Sequence, residues 1–330
     1  MSLKYFLKQI VSRNKFLERS ARFILSLYEA RVGTEKARLM HKESIASEPT
    51  IGKGFLAIRG RWPSLHCTSV DNPIFIFSAG WRSGSTLLQR LIMSKDPILI
   101  WGEPFSEAGL IQHLSLPFRC ITPSWPPDKW FVSNFEIENL SQTWVANLYP
   151  EIEDLIQANV QYMNRLFSDP AKKFGFQRWG IKDVRLTIEH AYFLKYLFPK
   201  AKFLFLYRNP YDAYKSYRSK RFWYKEWPDY PVFTPAQFAE HWFELLSGYL
   251  KGFKYVKGRM IRYEDIIQQN IDFDELQEYL DIEIDRKVLK KRIGSSSSSL
   301  SLNAIPMNEL KIVKSKVEPL ASDLGFFITD

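Results

Sequence analysis

The sequence predicts an α/β domain built on a central parallel sheet of about five strands flanked by helices. Two observations carry this expectation. Five short apolar runs recur, at 73–78, 98–102, 179–182, 202–207 and 259–262. Helical patterns follow turn residues after three of them, at 86–93, 186–197 and 211–219. Strands that alternate with helices read as βαβ units, and right-handed crossovers bring their C-terminal ends to one edge. No internal repeat interrupts the pattern, and the one low-complexity stretch is GSSSSS at 294–299.

A chain of 330 residues, 45% hydrophobic and 15% aromatic, suits one domain with insertions. Residues 1–70 read as an N-terminal helical extension packed on the core, and 71–330 as the main domain. In the extension Phe6, Ile10, Phe16, Phe23, Leu27 and Tyr28 fit amphipathic helices among many Lys and Arg residues. Packing on the domain is the first reading, with peripheral contact to a membrane surface as the second. Two segments break the rhythm, 116–135 with Trp125 and Trp130, and 221–235 with Trp223 and Trp227. Both mix prolines with aromatics and read as lid insertions that cover a substrate.

Forty-six basic against thirty-six acidic residues leave a net charge of +10. Nucleic acid, an anionic membrane and a small polyanionic substrate each answer to such a charge, so charge alone does not choose. Cys67 and Cys120 are too few for a disulfide framework and lack ligand spacing. The histidines at 41, 66, 113, 190 and 241 form no ligand pair, so no metal is expected. No apolar run reaches the roughly 20 residues that cross a bilayer.

The strongest local signal is IFIFSAGWRSGSTLL at 74–88. An apolar strand meets a run of small residues, and a helix opens behind them. Backbone N–H groups curl around an anion in such a loop, and the helix start adds unpaired donors. The loop is not GxxxxGK[ST]: Gly80 and Gly84 stand one residue too close, and Ser85 replaces the lysine. That lysine and its Mg²⁺ serve γ-phosphate chemistry, so a P-loop kinase or NTPase is the second reading. Arg82 instead places a fixed cation inside the loop, suited to a leaving phosphate without a metal.

A second anion motif lies at 201–219, where Arg208 ends a strand and Ser216 follows two helical turns later. Pro210 between them suits a first helical turn. The stretch LIWGEPFSEA at 99–108 puts Glu103 after the second strand, with Glu107 one turn on. A carboxylate there would take a proton from an attacking group. RWGIKDVRL at 178–186 closes the third strand with Lys182 and Asp183, and Arg185 follows.

With these motifs together, the chain resembles the PAPS-dependent sulfotransferases over about residues 73–294, with a site pattern nearest the bacterial and tyrosylprotein types. The resemblance implies a single domain of the P-loop-NTPase-like fold that binds 3′-phosphoadenosine 5′-phosphosulfate (PAPS) and releases 3′-phosphoadenosine 5′-phosphate (PAP) without a metal. It implies that Arg82, Ser83, Gly84, Ser85 and Thr86 hold the 5′-phosphosulfate and that Arg208 and Ser216 hold the 3′-phosphate. Catalytic roles fall to Glu103 as base, Lys182 on the sulfuryl oxygens and Arg82 on the bridging oxygen. Arg185 is a candidate for phosphate or acceptor. IRYEDI at 261–266 matches a structural stretch of the family, and Lys290 to Gly294 lie near its 3′-phosphate loop with a different spacing. Cytosolic members use a histidine base, for which His113 and His190 are poorly placed. The implied acceptor is a hydroxyl, or a nitrogen, on a small natural product or saccharide. The expected setting is a bacterial cytoplasmic enzyme of secondary metabolism, a monomer or homodimer without nucleic acid. A non-enzymatic polyanion binder is a further alternative, supported by charge only.

Overall fold

In the computed structural model, which describes residues 50–66, 69–105, 108–134, 145–218, 232–290 and 305–328, the five expected strands form one sheet. The elements come in the order α1 (Ile51–Arg61), β1 (Ile74–Ser78), α2 (Ser85–Ile92), β2 (Ile98–Trp101) and α3 (Leu110–Arg119). Next are α4 (Ile152–Met163), α5 (Asp169–Lys173), β3 (Arg178–Asp183), α6 (Ile188–Leu197), β4 (Lys202–Tyr207) and α7 (Pro210–Arg218). The chain continues through α8 (Pro235–Gly252), β5 (Arg259–Arg262), α9 (Tyr263–Gln268), α10 (Phe273–Leu280), α11 (Met307–Val317) and α12 (Leu320–Asp323). Strand ends match the apolar runs to within a residue.

All four pairings are parallel, in the order β2-β3-β1-β4-β5. Strand β1 lies between β3 and β4, so the chain travels to one side after β1 and later to the other. At such a switch the loops beyond the strand ends leave a crevice for a ligand. The register sets those ends level: Ile76 pairs with Lys182, Phe77 with Asp183, and Ser78 with Leu206.

The alternation of side chains along each strand builds two cores. One face carries Phe75, Phe77, Trp179, Ile181, Phe203 and Phe205, an aromatic layer that meets α1, α6 and α8. The other carries Ile74, Ile76, Ile100, Leu204 and Leu206 against Leu88 and Leu91 of α2 and Leu276 and Leu280 of α10. Both faces are covered, which explains why β1 and β3 are buried throughout and why β1 reads as an apolar run rather than an alternating one. Each large side chain removed from water contributes about 1.5–3 kcal/mol.

Segment 116–135 is irregular from Cys120 to Asn134, as expected, but not at its start. Its first four residues belong to α3, which runs through Pro117 to Arg119. Proline in a last turn removes only one bond near the helix end, and buried Phe118 holds that turn against Phe55 of α1, with ring centroids 5.1 Å apart. Short 3₁₀ turns follow at Asp128–Trp130 and Val132–Asn134. Helix α11 braces the back of α7: Tyr214 Oη donates to Glu309 Oε2 at 2.6 Å, and Arg218 Nε donates to the same oxygen at 3.0 Å. That support fixes the helix that carries Ser216.

Candidate active site

The loop after β1 owes its shape to three residues in the left-handed region: Gly80 (φ 79°), Arg82 (φ 61°) and Gly84 (φ 90°). Glycine accepts this conformation freely, whereas a side chain costs about 1 kcal/mol or more, so Arg82 is held under strain. Ser83 Oγ donates to Gly80 O at 3.0 Å and staples the turn, while Ala79 N–H extends the ladder to Leu206 O at 2.8 Å. Gly84 caps α2, which begins at Ser85, a residue earlier than the sequence suggested. No acidic residue occupies its first turn. Ser83 and Ser85 are buried and Thr86 is exposed. A Cβ on Gly84 would fall 2.1 Å from Cδ2 of Tyr263, so the glycine is also required by packing.

The second motif folds onto the first. Asn209 Oδ1 accepts from Tyr211 N at 2.9 Å and opens α7, with Pro210 as its first residue. Arg82 Nε then donates to Ser216 Oγ at 3.0 Å, and Arg208 Nη1 donates to Arg82 O at 2.9 Å. The Arg208 guanidinium lies 4.6 Å from the centroid of the Tyr263 ring. Its buried Nε has no hydrogen-bond partner among the described residues. A buried cationic donor without an acceptor, beside a loop of left-handed glycines, fits an anion better than it fits a closed core.

Glu103 and Lys182, apart in sequence and both at strand ends, form an ion pair between Lys182 Nζ and Glu103 Oε1. Lys182 is 7% exposed and Glu103 21%, so this is a half-sheltered pair rather than a surface one. Alternation along β3 sends Asp183 to the opposite face, where burial pushes its carboxyl up to about 6. Arg185 and its backbone N–H, donated to Asp183 Oδ1 at 2.7 Å, pull the other way, and Glu103 adds to the rise. Arg185 is buried next to Asp183, Nε to Oδ1 3.9 Å.

Two further residues contribute, one from the stretch that the resemblance marked as structural and one with no distinctive sequence signal. Tyr263, within the IRYEDI stretch, packs on both Gly84 and Arg208. Its neighbour Glu264 accepts the Asn209 N–H at 3.0 Å, so the stretch ties β5 to the second motif. His241 of α8 stacks on Trp81 of the phosphate loop at 4.7 Å between centroids. In sequence it looks like one more core position of an amphipathic helix. Burial holds the His241 ring down to about 3, with the Val184 carbonyl opposing and Arg185 adding to the depression. The unfolded chain takes up this proton near 6.5, whereas the folded chain does not until about 3. The stability tied to a neutral ring is therefore present above pH 6.5 and lost as pH falls through that window. A His241→Phe variant should thus lose about 1.4 kcal/mol per pH unit less than wild type between about pH 6 and pH 4 in urea unfolding. Parallel curves would show that His241 titrates as it does in water.

Other expectations fall away from this centre. His113 is exposed on α3, and His190 caps α6, its Nδ1 accepting from Thr187 N at 2.9 Å. Trp125 and Trp130 pack edge to face on each other at 4.6 Å, and Trp130 meets Tyr149. Cys120 is an exposed free thiol. Lys290 ends a short 3₁₀ turn. Residues 1–49, Cys67, Glu107, Trp223, Trp227, Lys291, Arg292 and Gly294 lie outside the described residues. Among the described residues there is no cluster of metal-ligating side chains, and no helix is long and apolar enough to cross a membrane.

No curated protein sequence matches the chain. Among solved structures, a sulfotransferase domain from the curacin biosynthetic pathway is 16% identical, with a TM-score of 0.45 over 79% of this chain and 100% of its own. The sulfotransferase domain of the Synechococcus PCC 7002 olefin synthase is 19% identical, with a TM-score of 0.38 over 81% of this chain and 92% of that one. The mouse sulfotransferase SULT7A1, complexed with PAP, is 14% identical, with a TM-score of 0.35 over 83% and 92%. The sequence profile described as the sulfotransferase family covers residues 73–286, from the first strand through all five strands to just past α10. With well over half of its length inside that match, the chain belongs to the sulfotransferase family.

Proposed function

We propose that the protein transfers the sulfuryl group of PAPS to a hydroxyl, or a nitrogen, of a small natural product or saccharide. The observation that carries this reading is the hydrogen bond between Arg82 and Ser216, which joins the 5′ and 3′ anion motifs into one place. A nucleotide with phosphates at both ends of its ribose matches such a double site, whereas ATP or GTP offers no 3′-phosphate. The missing Walker lysine opposes a kinase or NTPase in the same way, and family membership opposes a passive polyanion binder.

In this reading the N–H groups of Ser83 to Thr86 and the Arg82 guanidinium take up the charge that grows on the leaving 5′-phosphate. Arg208 and Ser216 hold the 3′-phosphate. The acceptor oxygen forms a bond to sulfur as the sulfur–oxygen bond to the 5′-phosphate breaks, and PAP departs. The acceptor proton goes to Glu103 Oε. Lys182, ion-paired with Glu103, exchanges that carboxylate for the sulfuryl oxygens and so leaves Glu103 able to accept the proton. No step calls for a metal ion.

Mass spectrometry of the purified protein with PAPS and a panel of phenols, alkyl alcohols, saccharides and amines tests the reading. The expected result is one acceptor class gaining a single sulfuryl group while PAP accumulates in equal amount. No sulfated product, together with no binding of PAP, would overturn it.

A further inference from the structure

Helix α8 lies outside every motif described from the sequence, yet three of its side chains reach the loops of the site. His241, Trp242, Leu245 and Tyr249 form one buried stripe, 3%, 1%, 3% and 0% exposed. Their spacing is that of a helix face packed on a sheet. A helix that only covers the sheet needs aliphatic residues there, because a buried indole, imidazole or phenol costs stability unless it finds a partner. Here each finds a backbone carbonyl, and each carbonyl belongs to a loop at the C-terminal edge of the sheet. Trp242 Nε1 donates to Arg208 O at 3.1 Å, after β4. His241 Nε2 meets Val184 O at 3.3 Å, after β3, and since a carbonyl only accepts, this nitrogen carries the hydrogen. Tyr249 Oη lies 2.6 Å from Leu186 O and 3.3 Å from Ser78 O, and so links the ends of β3 and β1. The His241 ring also lies on Trp81, and a Cβ on Gly80 would touch its Cδ2 at 3.4 Å.

We infer that α8 is the positioning element of the site: Trp242 sets Arg208 for the nucleotide's 3′-phosphate, and His241 sets the phosphate loop against the loop that follows Lys182. The inference rests on the proposed PAPS reading. These residues act through backbone carbonyls. Each carbonyl is the fixed point from which a loop projects its charged side chain, so losing the donor lets that loop shift. A shift at Arg208 weakens nucleotide binding. A shift between Val184 and Trp81 changes the distance from Lys182 to the transferred group and slows the chemical step, while the nucleotide still binds.

Titration calorimetry with PAP, in wild type, Trp242→Phe and Tyr279→Phe, separates positioning from plain stability. Tyr279 is the comparator because its hydroxyl bonds Phe203 and the Lys257 carbonyl, at the opposite end of β4. Trp242→Phe should weaken PAP about tenfold, the effect of one misplaced charged hydrogen bond. Tyr279→Phe should lower Tm about as much as Trp242→Phe does and leave PAP affinity within about twofold. His241→Phe keeps a ring on Trp81 and loses only the N–H, so turnover should fall about tenfold with PAP affinity within about twofold. Equal PAP affinity in Trp242→Phe and wild type would overturn the role of Trp242, and unchanged turnover in His241→Phe would overturn that of His241. Should Trp242→Phe fail to fold, His241→Phe decides the inference for α8 alone. A wild-type protein that does not bind PAP would instead overturn the PAPS reading, and the inference with it.

Discussion

Replacing Arg82 with alanine is expected to lower turnover by roughly a thousandfold or more, the upper end of what loss of a single stabilising donor costs, because this donor carries a full charge. Three physical roles meet in this residue. Its guanidinium is the only cation within the phosphate loop itself, between Gly80 and Thr86. Its Nε bonds Ser216 Oγ and so couples the two anion motifs. Its carbonyl receives Arg208 Nη1. Alanine keeps the carbonyl and loses the other two, so the loop should stay folded while the leaving phosphate loses its counter-charge. Initial rates at saturating acceptor, with Tm recorded beside them, are the measurement. A variant that turns over within tenfold of wild type would show that the backbone N–H groups stabilise the leaving group without the side chain.

The second large effect belongs to Glu103. Glu103→Gln should bind PAP within about threefold of wild type and lose turnover by about 10²–10⁴, the usual worth of a positioned proton acceptor. Glutamine fills the same volume and still accepts from Lys182 Nζ, but it takes no proton and leaves a largely buried ammonium without its counter-charge. A modest drop in stability should accompany the loss of rate, and comparison with Lys182→Met would separate the two. If Glu103→Gln turns over like wild type, the carboxylate is only the structural partner of Lys182, and the base lies elsewhere.

Much of the fold was legible because its causes are local. Strands β1 and β4 are buried on both faces, so their apolar runs stand out against the polar loops. The turns after β1 and β4 were legible for a similar reason, since a left-handed turn favours glycine and a helix start needs a cap, and both leave marks within a few residues. Only the start of segment 116–135 was misjudged, because its prolines and tryptophans mask that buried Phe118 carries α3 four residues into it. His241 left no mark, because an aromatic residue on a buried face looks the same whether it packs on a core or on a functional loop.

By itself the amino-acid sequence determined which segments become strands, where the chain makes its tight turns after them, and which residues carry charge at those turns. These depend on side-chain period and backbone freedom over a few consecutive residues. The tertiary structure alone decided that Lys182 faces Glu103 across 79 positions, that Arg82 bonds Ser216 across 134, and that α8 ties down the loops between them. Those contacts follow from the strand order β2-β3-β1-β4-β5, and strand order is settled by how whole faces pack.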